Sequence, residues 1–122
     1  MKVESFTEIE SWKQSRELVN EIYKVTVNGR FSKDYGLRDQ IQRAVVSIMS
    51  NIAEGFDSGS KRSFISYLNH SYGSASEVES LLYIALDLGY ILVEDFNRLW
   101  LKTKAIKSLI GGFIKYLRKN PN

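Results

Sequence analysis

A chain of 122 residues, 43% hydrophobic and 12% aromatic, is the length of one domain and has apolar side chains enough for a core. The absence of cysteine excludes disulfides, thiolate metal sites and a cysteine nucleophile, and the single proline, Pro121, with few glycines where strand turns would need them, favours helices over strands. The net charge of +3 is modest but polarised: Arg98 to Lys119 holds seven basic residues and no acidic one, and the rest of the chain sets ten basic residues against all fourteen acidic ones.

Phe6 to Ile9 lead into helix one, expected over 9–27, with Thr7 or Ser11 as its cap and Glu8 and Glu10 suited to a helix N-terminus. Trp12, Val19, Ile22, Tyr23 and Thr26 then recur at helical spacing. The acidic first ten residues lack an apolar signal region, and no run of about 18 apolar residues occurs, so the expectation is a soluble, cytoplasmic protein without a membrane partner. Asn28-Gly29-Arg30 break the helix, and Phe31 to Gly36 read as a connection in which Phe31 and Tyr35 plug the end of the core.

Helix two, expected over 37–55, carries two stripes. Leu37, Ile41, Ala44, Val45, Ile48 and Ile52 fall on one side at about 100° per residue, a core face, while Gln40, Arg43, Ser47, Asn51 and Glu54 form a narrow polar line on the other. Gly55 reads as the terminating glycine and Ser60 as the cap of helix three, expected over 60–88. There Phe64, Leu68, Tyr72, Ala75, Val78 and Leu82 point inward, and Gly73-Ser74 marks a bend or a close helix approach. Gly89 ends that helix, and Glu94-Asp95 open helix four, expected over 94–119, with Phe96, Leu99, Thr103, Ile106, Ile110, Phe113 and Leu117 inward. Four amphipathic helices with short connections make one all-α domain over 1–122, an antiparallel up-down-up-down four-helix bundle, the simplest fold.

Tyr35-Gly36-Leu37, then Gln40 with Arg43-Ala44-Val45-Val46-Ser47-Ile48, then Ser50-Asn51-Ile52-Ala53-Glu54-Gly55, then Gly73-Ser74 with Glu77, and finally Leu88-Gly89-Tyr90 resemble the bacterial four-helix-bundle family encoded within intervening sequences of 23S ribosomal RNA genes, often called S23 proteins. The resemblance covers nearly the whole chain and is most specific in helix two. It implies a small homo-oligomeric bundle, typically a pentamer, without enzymatic activity. The chain is also similar to the accessory protein of diversity-generating retroelements, a basic pentameric bundle that binds nucleic acid and a reverse transcriptase, which implies an RNA or DNA partner. Three positions depart from the family pattern: Met49 stands where the family usually has proline, so helix two should run straighter; Asp57-Ser58-Gly59 stand where basic residues commonly follow Glu-Gly; and Tyr72 stands where an arginine often precedes Gly-Ser.

Two sets of residues are site candidates. On helix four Lys104, Lys107, Lys115, Arg118 and Lys119 gather opposite the apolar stripe with Trp100 at its border, either as a phosphate-contacting face for RNA or DNA or as a solvated face suited to the helix dipole. The polar line of Gln40, Arg43, Ser47, Asn51 and Glu54, joined by Ser74 and Glu77, is either a hydrogen-bond network fixing register or a subunit interface, or a ligand contact; Arg38 and Arg43 are expected within reach of Glu77. His70 is the only histidine, and no histidine, cysteine or glycine-rich loop joins Glu54, Glu77 and Glu79 in a recognisable order, so no enzyme, metal or cofactor is expected. Met49, Ala53, Leu81, Tyr83, Leu101 and Tyr116 sit off the core stripes and point to self-assembly, with a purely structural oligomer or a protein-protein interaction module as the alternative function.

Overall fold

A computed structural model describes residues 3–120, so the terminal Pro121 lies outside it. The chain forms four helices, α1 (Glu10–Thr26), α2 (Tyr35–Phe56), α3 (Lys61–Asp87) and α4 (Val93–Lys119), each end within two residues of expectation, with short 3₁₀ turns at Phe6–Glu8 and Phe31–Lys33. The helices pack as an all-α bundle in which α1 neighbours α2 and α4, and α3 neighbours α2 and α4. Their pairings run in opposite directions: Gln40 meets Glu77 and Ser47 meets Ser74 between α2 and α3, Tyr83 stacks on Phe96 and Phe64 on Phe113 between α3 and α4, and Arg98 meets Glu21 and Lys102 meets Glu17 between α4 and α1.

The apolar stripe of α2 is the centre of the core: Ile41, Val45, Ile48 and Ile52 are fully buried, with Leu37 and Ala44 beside them. Each such aliphatic side chain contributes about 2 kcal/mol by leaving water. Elsewhere the inward set differs from a simple apolar reading. On α1 the buried line is Ser11, Trp12, Ser15, Leu18, Ile22 and Thr26, and Tyr23 is exposed. On α3 Ser71 is buried and Tyr72 is exposed, because the Ser71 hydroxyl donates to the Ile48 carbonyl at 2.7 Å and only a small side chain fits where α2 and α3 approach. On α4 Ile114 is buried and Phe113 half-buried. Leu81, expected off the core, is buried, and Met49 and Ala53 are half-buried against it; Tyr83, Leu101 and Tyr116 are exposed.

Local chemistry sets the boundaries. Neither Thr7 nor Ser11 caps α1, whose N-cap is Ile9 and which has no side-chain cap; Ser5 instead caps the preceding 3₁₀ turn, in a reciprocal box with Glu8. Asp34 caps α2 by accepting from the Leu37 amide at 3.1 Å, which starts the helix at Tyr35 and leaves that ring exposed rather than plugging the core, with the Arg38 guanidinium 4.8 Å from its centroid. Ser60 caps α3 as expected. Gly89, at φ 71°, closes α3 through paired bonds from its own amide to Leu86 and from the Tyr90 amide to Ala85, the left-handed stop that glycine adopts without strain. Gly55 acts differently: it lies inside the last turn of α2, where α3 presses against it. Gly73 does not break α3, and nothing approaches the space a side chain would take there.

The α1–α2 and α3–α4 connections are clasped together. Buried Phe31 stacks on Tyr90 at 5.3 Å, Arg30 donates to the Leu88 carbonyl, and the Tyr90 hydroxyl donates to Asp34 at 2.9 Å. The carboxylate beside it, and then burial, hold the Tyr90 phenol above the usual value of 10.0. A raised folded value means that the neutral phenol favours the native state: this contribution is fully present below pH 10.0 and is lost as pH rises through the folded value. Ultraviolet titration of the wild type against Tyr90→Phe should therefore show that the component the substitution removes ionises above pH 10.0, and a removed component at the usual value would exclude the bond.

Candidate functional site

The polar line of α2 faces α3 over an open groove of about 620 Å³ lined by Gly36, Asp39, Gln40, Arg43, Ala44 and Ser47 of α2 and by Ser74 and Glu77 of α3. Most of its polar groups are used within the fold. Gln40 donates to Glu77 at 3.2 Å, the Ser47 and Ser74 hydroxyls share a bond of 2.8 Å, and Asn51 donates to the carbonyl and hydroxyl of Ser47 at 2.8 and 2.9 Å. Arg38 does not reach Glu77. It lies about 160° around α2 from Gln40, on the α1 side, where it binds Asp39 at 2.9 Å and the Ser32 carbonyl at 3.0 Å. Arg43 stands exposed on the ridge between this groove and a second one of about 460 Å³ formed with Tyr23, Gln42, Val46 and Ser50, and among the described residues it has no hydrogen-bonded partner; nor does exposed Glu54. These bonds tie the stripe to α3 at Gln40–Glu77 and Ser47–Ser74 and leave Arg43 and Glu54 outside the network.

The cations of α4 divide into two groups. Arg98 pairs with Glu21 at 2.8 Å and Asp95 at 2.7 Å, Lys102 pairs with Glu17 at 2.7 Å, and Lys107 pairs with Glu79 at 2.8 Å. Lys107 is only 15% exposed and Glu79 13%, so this candidate is a packed interhelix pair and not part of an open surface. The reason is its azimuth: it projects from the edge of α4 that packs against α3, over the Tyr72 ring at 4.9 Å. Lys104, Lys115, Arg118 and Lys119 form the other group, exposed and without an acidic partner among the described residues; Lys104 rests 5.1 Å from the Trp100 ring centroid.

Antiparallel packing extends this surface with residues that the sequence did not single out. The Phe64–Phe113 contact at 5.2 Å brings the start of α3, with Lys61 and Arg62, level with Lys115 at the end of α4. The first turn of α3 holds no acid, although a helix N-terminus favours one. Two adjacent cations at that end were the available signal, since they oppose the helix dipole. The stripe and the basic face lie on different sides of the bundle, α2–α3 and α3–α4. Among the described residues no cluster of three or more histidine, cysteine, aspartate or glutamate side chains is placed to hold a metal ion, and no helix is long and apolar enough to cross a membrane.

Residues 7–112 match the model of a family described as 23S rRNA-intervening sequence protein. The fold also matches a crystal structure at 1.70 Å resolution of a protein of unknown function from the S23 ribosomal protein family of Bacteroides thetaiotaomicron, with 30% identity, a TM-score of 0.79, and 86% of this chain and 95% of that one covered. No curated protein matches the chain.

Proposed function

The chain belongs to the 23S rRNA-intervening sequence protein family, and from that premise we propose that it is a non-enzymatic accessory protein, without metal or cofactor, that binds RNA or DNA through the phosphates. The observation that carries this reading is the division of the cations on α4. Arg98, Lys102 and Lys107 are neutralised by partners on α1, α3 and α4 itself, while Lys104, Lys115, Arg118 and Lys119 stay exposed with no acid on their helix after Asp95. Contacts of that kind position a backbone without reading sequence. Assembly as a homo-oligomer, five copies by resemblance to the S23 family, would repeat the face around a ring and multiply its field. Exposed Leu101, Leu92 and Val93, each more than half accessible, support self-assembly.

Fluorescence anisotropy of a labelled RNA hairpin tests the reading, with mass measured by light scattering on the same sample. Four phosphate contacts per chain should cost about 100-fold in affinity between about 50 mM and about 200 mM salt. The triple variant Lys115→Glu, Arg118→Glu, Lys119→Glu should abolish most of the binding at low salt. Failure to bind at the lower salt, or unchanged affinity in the variant, would leave a structural oligomer or protein-interaction module as the function. A monomer would remove the ring.

A further inference from the structure

The free cations share their face with exposed aromatic rings. Trp100, Lys104, Gly111, Lys115 and Arg118 succeed one another along the α3-facing edge of α4, and Lys61, Tyr72 and Tyr83 occupy the facing edge of α3. Tyr72 is 40% exposed and Tyr83 49%, and Trp100 is half-buried under Lys104. Tyr72 sits over Gly111, whose missing side chain would come within 3.8 Å of the ring, and Tyr83 stacks on Phe96 at 4.9 Å. The two tyrosines lie eleven residues apart, about 16 Å along α3, and Trp100, one helical turn beyond Phe96, falls between their levels. Glu79, which lies between the two tyrosines on this edge of α3, is packed and neutralised by Lys107, and exposed Asp87 lies one turn beyond Tyr83.

A run of half-exposed rings is unfavourable as a purely solvated surface and suits a flat, anionic partner. A base in a duplex is already stacked and hides both of its faces, whereas an unpaired base offers one to a protein ring. We infer that the α3–α4 face binds single-stranded nucleic acid, bases stacking on Tyr72 and Tyr83 while Lys104, backed by the Trp100 ring, and Lys115 and Arg118 hold the phosphates. This rests on the phosphate-contact reading above and adds to it a preference for unpaired strands.

Anisotropy at about 50 mM salt with three labelled probes of equal length separates the two readings: a single strand, a duplex hairpin, and an abasic single strand that keeps the phosphates but has no bases. The wild-type protein should bind the single strand at least about 10-fold more tightly than either of the others. The variant Tyr72→Ala with Tyr83→Ala should lose about 10-fold or more on the single strand and nothing on the abasic one, and Tyr72→Phe with Tyr83→Phe should bind as wild type does. Equal affinity for the abasic and normal strands would overturn the stacking assignment while leaving phosphate contact intact. Absence of binding to all three would overturn both. The wild-type comparison decides even if the alanine variant fails to fold.

Discussion

Gly55→Ala should lower the melting temperature by about 4 °C, although alanine is the better helix former by about 1 kcal/mol. A Cβ at position 55 would stand 2.7 Å from the Tyr67 Cβ and 2.9 Å from the Phe64 ring. The Tyr67 Cβ belongs to the rigid frame of α3 and cannot rotate aside, so α3 itself must move outward along a contact that includes the Ser71 bond to the Ile48 carbonyl. Overpacking of this kind costs about 1–3 kcal/mol, and its midpoint of about 2 kcal/mol exceeds the propensity gain by about 1 kcal/mol. Gly73→Ala is the internal control. That residue is equally helical, but no atom lies within 4 Å of the new side chain, so the same substitution should raise the melting temperature by about 4 °C. Thermal unfolding followed by circular dichroism reads both. A Gly55→Ala protein as stable as wild type would mean that close approach is not why glycine stands there.

The two glycines show what the sequence could and could not express. Periodicity gives the azimuth of a residue about its own helix, and that was enough for the α2 stripe, where six apolar residues at helical spacing are all buried. It gives no distance between helices. Gly55 reads as a terminator because helices commonly end at glycine, and only the position of Tyr67 reveals its packing role. Ser71 and Tyr72 are adjacent in sequence and about 100° apart on α3; hydrophobicity selects the tyrosine for the core, whereas the narrow gap to α2 selects the serine. Within the candidate site, the run of cations on α4 was legible from charge alone. Its division was not, because only Asp95 lies near its cation, Arg98, in sequence; the other acids that pair with Arg98 and Lys102 lie on α1, more than seventy residues away, and the partner of Lys107 lies on α3.

That division makes its sharpest claim at Lys107. Lys107→Met should cost about 3 kcal/mol of stability, since it leaves the Glu79 carboxylate packed and uncompensated. No other donor is in place to take over: the second oxygen of Glu79 is already buried without a hydrogen bond. Methionine keeps the length of the lysine stem and its contact with the Tyr72 ring, so the loss reports the charge and not a cavity. Adding Glu79→Leu should restore most of the stability, because a packed ion pair replaced by apolar residues of similar size is often neutral, and a double-mutant cycle in urea measures the coupling. Lys115→Met is the opposite case. Exposed and without an acidic partner among the described residues, Lys115 should contribute within about 0.5 kcal/mol to stability, while its loss should lower the salt slope of nucleic-acid binding by about one contact. If instead Lys107→Met left stability unchanged and weakened binding as much as Lys115→Met, Lys107 would belong to the contact surface and α4 would present all its distal cations to the partner.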